Sequence, residues 1–356
     1  MGAFDALCEL DLLVEAVRRN CCIADARHAR EMTMCNYLLA MREYCRWERG
    51  IPPGGTLPAR AEIGAWLNAR EALWEALEDQ DYGTVPVGGQ YHEPFDSAAI
   101  NQALQGQDLI YGAGIGRFHK PHFFLGRLVR EERREGLDIR ICGREYARDL
   151  TAIPAASRGD TIIIRQDALH QWLWEKVEAW QAKGDDGPLQ AALDSYAYRT
   201  GATAAMARLA DAVTELLVLH ELGEHGAGRL LGPAWEEMLA AGHDKRAEVL
   251  ARAVRDNLAD CLVTLPALLE GDARGALHFW FANFDGMRLA LFPALATAYR
   301  EWRANDADAA LRAAIAEGAA HWRHVAEDVL ARFELSAAAA EAALAQWSGD
   351  PAAIRL

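Results

Sequence analysis

No two cysteines form a C-x-x-C pair, although the chain carries seven, two of them adjacent at Cys21 and Cys22. An odd count without that spacing reads most simply as reduced thiols in a cytosolic protein. Positive charge is also scarce. There are 37 Lys and Arg against 52 Asp and Glu, a net charge of −15, and no long basic run offsets it. Such a surface repels nucleic acid and anionic lipid, so neither is expected as a partner. Long apolar runs are missing too. The first twenty residues are interrupted by Asp5, Glu9, Asp11 and Glu15, which a secretory signal would not tolerate, and no stretch approaches a charge-free membrane span. A cytoplasmic location is expected. No G-x-S-x-G elbow is present. The glycines of "YGAGIGR" (111–117) miss G-x-G-x-x-G, so a turn is expected there rather than a phosphate loop.

What is present is an ordinary globular composition over 356 residues, 51% hydrophobic and 25% charged, enough for one large domain or two ordinary ones. Residues 4–49 read as two helices broken near Asn20, the second capped by Asp25 and ending at Gly50. A third helix spans 59–80, and 81–95 has no period. "DLIYGAG", "HFFLGRLV", "LDIRICG" and "DTIIIR" read as strands. The fold class is therefore mainly α (α+β): an N-terminal helical region (1–106), a small antiparallel sheet (107–165) and a C-terminal helical region (166–356). Breaks in the last region are expected near Gly184–Pro188, Gly232–Pro233, Gly271–Gly275 and Asn305–Asp306.

The chemistry concentrates in "VLHELGEHGAG" (218–228). At about 100° per residue, His220 and Glu224 stack one turn apart, as do Glu221 and His225, and all four fit an arc of about 140°. Val213, Leu216 and Leu217 lie on or beside that arc, while Leu219 and Leu222 cover much of the rest, so the helix is apolar nearly all round and should be buried. In the next long helix Asp256 and Asp260 are also one turn apart, on the stripe of Val249, Ala253, Val263 and Ala267. Carboxylates in such places need a cation or a metal. By contrast, Glu317, His321, His324 and Asp328 lie well round from the apolar stripe of their helix and read as a solvated face. His28, Glu31 and Cys35 continue into Arg42 and Arg46, an ion-pair face, and His278 among the aromatics of "LHFWFANFDGMR" reads as a core histidine.

Three stretches, "MTMCNYLLAMREYCRWE", "ARAVRDNLADCLVTLP" and "LHFWFANFDGMR", resemble an uncharacterised family of bacterial cytosolic proteins. Separately, "HELGEH" resembles the zincin metallopeptidase helix, in which two His at i, i+4 bind zinc and the Glu between them is the general base. That resemblance implies His220 as ligand, Glu221 as base and Asp256 or Asp260 as third ligand. Glu224 stands where the second His belongs.

The leading expectation is a metal-dependent hydrolase acting on a small-molecule or peptide substrate. Its metal ligands would be His220, Glu224, Asp256 and Asp260, with His225 in reserve, and Glu221 would deprotonate a metal-bound water. The divalent ion would be Zn, Mn or Fe, given so many carboxylates. Alternatives are a non-catalytic helical scaffold or interaction protein whose acids pair with Arg229, Arg252 or Arg255, an HD-type phosphohydrolase using His243–Asp244, and a di-metal oxidative enzyme.

Overall fold

Asn20 does not break the first helix. In the computed structural model, which describes residues 3–52, 54–116, 119–184 and 186–356 and side chains from residue 9 onward, α1 runs unbroken over Ala3–His28. The Asn20 amide, whose competition with the backbone suggested a break, is spent on a distant partner: Nδ2 donates to the Gly83 carbonyl at 2.8 Å and Oδ1 accepts from the Gly83 amide at 2.7 Å. Asp25 is likewise no cap but a buried residue inside α1. The next helix, α2 (Met34–Glu48), is capped by Thr33, whose hydroxyl accepts from the Asn36 amide. α3 covers Arg60–Leu77.

The segment without a period, 81–95, holds a hairpin of β1 (Val85–Val87) and β2 (Gln90–His92). Its two-residue turn is Gly88–Gly89, both at positive φ, the geometry that suits a tight hairpin and that side chains resist. α4 (Ser97–Ala103) leads into a sheet of β3 (Leu109–Ile115), β4 (Pro121–Arg134), β5 (Leu137–Arg148), β6 (Ala155–Arg158) and β7 (Thr161–Arg165). The expected antiparallel sheet is in fact mixed, in the order β3-β4-β5-β7-β6, with β5 and β7 parallel. A meander would lay β6 beside β5. Instead the β6–β7 hairpin puts the apolar Ile162 and Ile164 next to β5 and leaves "AASR" at the edge. The "YGAGIG" glycines lie largely in β3, not in a turn, with the Phe124 ring packed where a Gly112 side chain would stand; Arg117 is outside the described residues.

The chain divides into two compact units, residues 1–178 and 179–356, and the first takes in both the N-terminal helices and the sheet. Its core forms where Val17, Cys21 and Ala24 of α1 pack on Phe123, Leu125 and Ala147 of the sheet. α5 covers Gln166–Lys183. The second unit is helical: α6 (Pro188–Ser195), α7 (Ala202–Leu231), α8 (Pro233–Ala241), α9 (Lys245–Ala259), α10 (Leu265–Glu270), α11 (Arg274–Ala282), α12 (Gly286–Leu291), α13 (Pro293–Asn305), α14 (Asp308–Leu335) and α15 (Ala337–Gly349). The protein is thus mainly, not wholly, helical. No helix among the described residues is long and apolar enough to cross a membrane.

Between α9 and α10 the helix widens into a π-turn at Asp260–Thr264. Pro266 follows at once, and its ring and missing N–H are what an α-helical turn there could not absorb. Gly223 lets α7 press against this region, because a Cβ at that position would lie 2.7 Å from the Ala259 carbonyl oxygen. Gly226, one turn on, faces open space. Gly223→Ala should therefore cost about 1–3 kcal/mol, a fall of several degrees in Tm, while Gly226→Ala should be neutral or raise it slightly. Thermal melts of the two variants followed by circular dichroism check this; equal effects would mean that α7 is not held at Gly223.

Candidate functional site

α7 and the helix running through α9 into the π-turn meet antiparallel, with His220 opposite Asp260 and Glu224 opposite Arg255. The His220 ring is held at both nitrogens: Nδ1 lies 3.0 Å from Asp260 Oδ1 and Nε2 lies 3.3 Å from Glu224 Oε1. Arg288, from α12, donates to the other Asp260 oxygen, and its guanidinium lies 5.0 Å from the Trp280 ring centroid and 5.6 Å from that of Phe284. Arg255 Nη2 donates to Glu224 Oε2 at 2.9 Å and lies 3.4 Å from Asp256 Oδ1. A guanidinium therefore stands between Glu224 and Asp256.

The expected ligands are thus partly assembled. His220, Glu224 and Asp260 converge, Asp256 is reached through Arg255, and two arginines complete the group. Glu221 is half-buried one residue along α7. His225 is also half-buried, and no described residue hydrogen-bonds or ion-pairs with it. Among the described residues no three His, Cys, Asp or Glu side chains stand where they would share one metal ion. Asp244 caps α9 by accepting from the Arg246 amide, about four turns, or about 24 Å, along the helix from Asp260. Arg252 pairs with Glu248 on the exposed side. His278 bonds the Tyr299 hydroxyl at 2.8 Å, and burial, with help from Arg303 and Arg274, lowers its pKa to about 4. Glu317 and His324 are exposed, as their face implied, and His321 bonds the Ile354 carbonyl oxygen. His28 lies 3.5 Å from Glu31, and Arg42 and Arg46 pair with Glu43.

Electrostatics make the cluster ionic. Asp260 has only 1% of its surface exposed. Burial alone would raise its pKa, but Arg288 and then His220 outweigh it and hold the carboxyl at about 2. Burial would lower His220, but Asp260 and Glu224 hold it well above its ordinary value, which favours the imidazolium. Glu224 is lowered: the His220 hydrogen bond and Arg255 overcome its burial. Asp256 is raised by burial and by the nearby Glu224 charge, with Arg255 only partly compensating.

Arg288 was not foreseeable from spacing, since its aromatic partners come from α11 (Trp280) and the turn after it (Phe284) and its carboxylate from the π-turn. The one signal is an arginine inside the aromatic-rich "LHFWFANFDGMR".

A second polar network, in the first unit, left no local trace in the sequence. Lys120 Nζ donates to Asp25 Oδ1 at 2.8 Å and to the Thr151 hydroxyl at 3.0 Å, and the Leu150 amide donates to Asp25 Oδ2 at 2.9 Å. Beside it, His122 Nδ1 lies 2.5 Å from Asp149 Oδ2. Burial pushes Asp25 up to about 6 in spite of Lys120, with the Asp149 charge adding to the rise.

Sequence models for the N-terminal and C-terminal domains of a family of unknown function (DUF6866) match residues 12–165 and 170–349. The chain belongs to this DUF6866 family. No curated protein and no solved structure matches it. The His220 cluster lies wholly in the DUF6866 C-terminal domain, and the Asp25–Lys120 network in the N-terminal one.

The signs of the pKa shifts set the pH behaviour. His220 is raised in the folded state, so its contribution is complete below its unfolded value, about 6.5, and is lost as pH climbs through the folded value. Asp260 is depressed to about 2, so its contribution is present above its unfolded value and is lost as pH falls toward 2. His220→Gln should therefore reduce the alkaline loss of stability while leaving the acid loss from Asp260 largely in place. Urea midpoints of wild type and variant at neutral and alkaline pH, read by tryptophan fluorescence, check this. Parallel pH dependences would show that His220 carries no folded-state charge.

Proposed function

We propose that this chain is a non-catalytic binding protein in which the His220–Asp260–Arg288 and Glu224–Arg255–Asp256 set is an ion-pair lock between helices. The observation that carries this reading is Arg255, whose guanidinium occupies the space between Glu224 and Asp256 that a metal ion would need. Each acid oxygen that faces the group has a cationic partner, the arrangement a buried ionic network requires.

A second reading, the metal-dependent hydrolase, rests on one feature of its own. Asp260 opens a π-turn, a helix distortion frequent at functional sites, and His220 and Glu224 still reach solvent with 23% and 25% of their side chains exposed. In that reading Arg255 withdraws, His220, Glu224 and Asp260 bind Zn, Mn or Fe with Asp256 or His225 as a further ligand, and Glu221 is the base.

One experiment separates the two. Protein purified without chelator should contain no stoichiometric metal, and its Tm should not respond to added Zn²⁺ or Mn²⁺. Asp260→Ala should lose about 3 kcal/mol of stability, because it strands His220 and Arg288 without their shared anion, and the loss should be the same with and without metal. One bound ion per chain that disappears in Asp260→Ala would establish the metal reading instead.

A further inference from the structure

A cavity of about 460 Å³ opens on the first unit between the end of α1, the start of α2 and one face of α3. Its inner lining is apolar and aromatic, from Ala26, Ala29, Met32, Tyr37 and Trp74. α3 and its C-cap add three carboxylates, Glu71 and Glu75 one turn apart in the helix and Glu78 at the cap. Among the described residues of the lining Arg30 is the one cation, and it is already paired with Glu78 at 2.8 Å. Glu71 accepts from the Tyr37 hydroxyl at 2.8 Å, a neutral donor that leaves its charge in place. Glu75 is exposed, and no described residue hydrogen-bonds or ion-pairs with it. Two negative charges therefore face the cavity uncompensated.

Beside the carboxylates stands apolar surface that a folded protein normally hides. Met34 lines the cavity and is 70% exposed, and Leu38, one turn further along α2, is 49% exposed. Methionine adapts its shape to different ligands at little cost. An anion is repelled by this wall, and a bare metal ion would lose hydration to methionine and aromatic surface. The volume falls in the range of sites for small organic molecules.

We propose that this cavity binds a small organic cation with an apolar body: the body would lie on Met32, Met34, Tyr37 and Trp74, and the charged head against Glu71 and Glu75. The site is independent of the His220 cluster, so the metal test above neither supports nor weakens it.

Three probes of matched size test it on the full chain: benzyltrimethylammonium, benzyl alcohol and benzoate, each titrated by calorimetry. Benzyltrimethylammonium should bind at a single site about tenfold more tightly than benzyl alcohol, and benzoate more weakly than either. The double variant Glu71→Gln, Glu75→Gln should weaken the cation about fivefold or more and leave the alcohol unchanged, and about 0.5 M salt should do the same to wild type. Both positions are exposed, so the variant should fold, and its circular dichroism spectrum verifies that. Equal affinities for cation and alcohol, a double variant with unchanged cation affinity, or no binding of the cation would each overturn the proposal.

Discussion

A charge placed in an apolar helix interface must bring its counter-charges with it, and in the second unit that charge is Asp260. Its carboxylate is almost wholly shielded from water, yet its pKa is depressed. Burial acts in the opposite direction, so the depression measures how completely Arg288 and His220 surround it. Each of those partners is then bound by the same constraint. His220 becomes a cation and needs Glu224 at its other nitrogen; Glu224 becomes an anion and needs Arg255. Four helical elements, α7, α9, the π-turn and α12, are thereby tied through charged side chains.

The backbone has been shaped to allow this. At Gly223 a Cβ would press on the Ala259 carbonyl oxygen, so glycine lets α7 approach there. The π-turn adds a residue to the helix circumference at Asp260, which turns that carboxylate toward α7 and α12 while Cys261 goes to the core side. Gly318 of α14 repeats the device from the other side, since a Cβ there would meet Phe292 and the Cys261 sulfur. Two glycines and a proline, residues that weaken helices taken singly, here permit this close packing.

How much of this was legible follows from whether a signal was local. The burial of the "HELGEH" helix, the stacking of His220 on Glu224 and of Asp256 on Asp260, and the solvated face of Glu317 and His324 are all consequences of helical period, and the period is in the sequence. The cations were harder. Arg255 was readable as a possible partner because it adjoins Asp256, but Arg288 approaches from another helix and its spacing to Asp260 has no meaning along the chain. The same limit explains Asn20 and Asp25. Both are residues that cap or break helices when their side chains turn to the nearby backbone, and here each turns to a partner more than sixty residues away. The parallel pairing of β5 with β7 was invisible for a related reason, because alternation specifies which face of a strand is buried but not which strand lies beside it.

The two units answer the problem of buried charge with different chemistry. Asp25 is paired with a lysine and a backbone amide, and the carboxyl is still pushed up to about 6, so the pairing only partly offsets its burial. Around Asp260 the partners are an arginine and a histidine, and the carboxyl is pulled down to about 2. Guanidinium is the cation least costly to remove from water, and its planar fork meets a carboxylate with little further loss of freedom. The Asp260 set combines an arginine with a histidine on one acid, and the two together outweigh its burial.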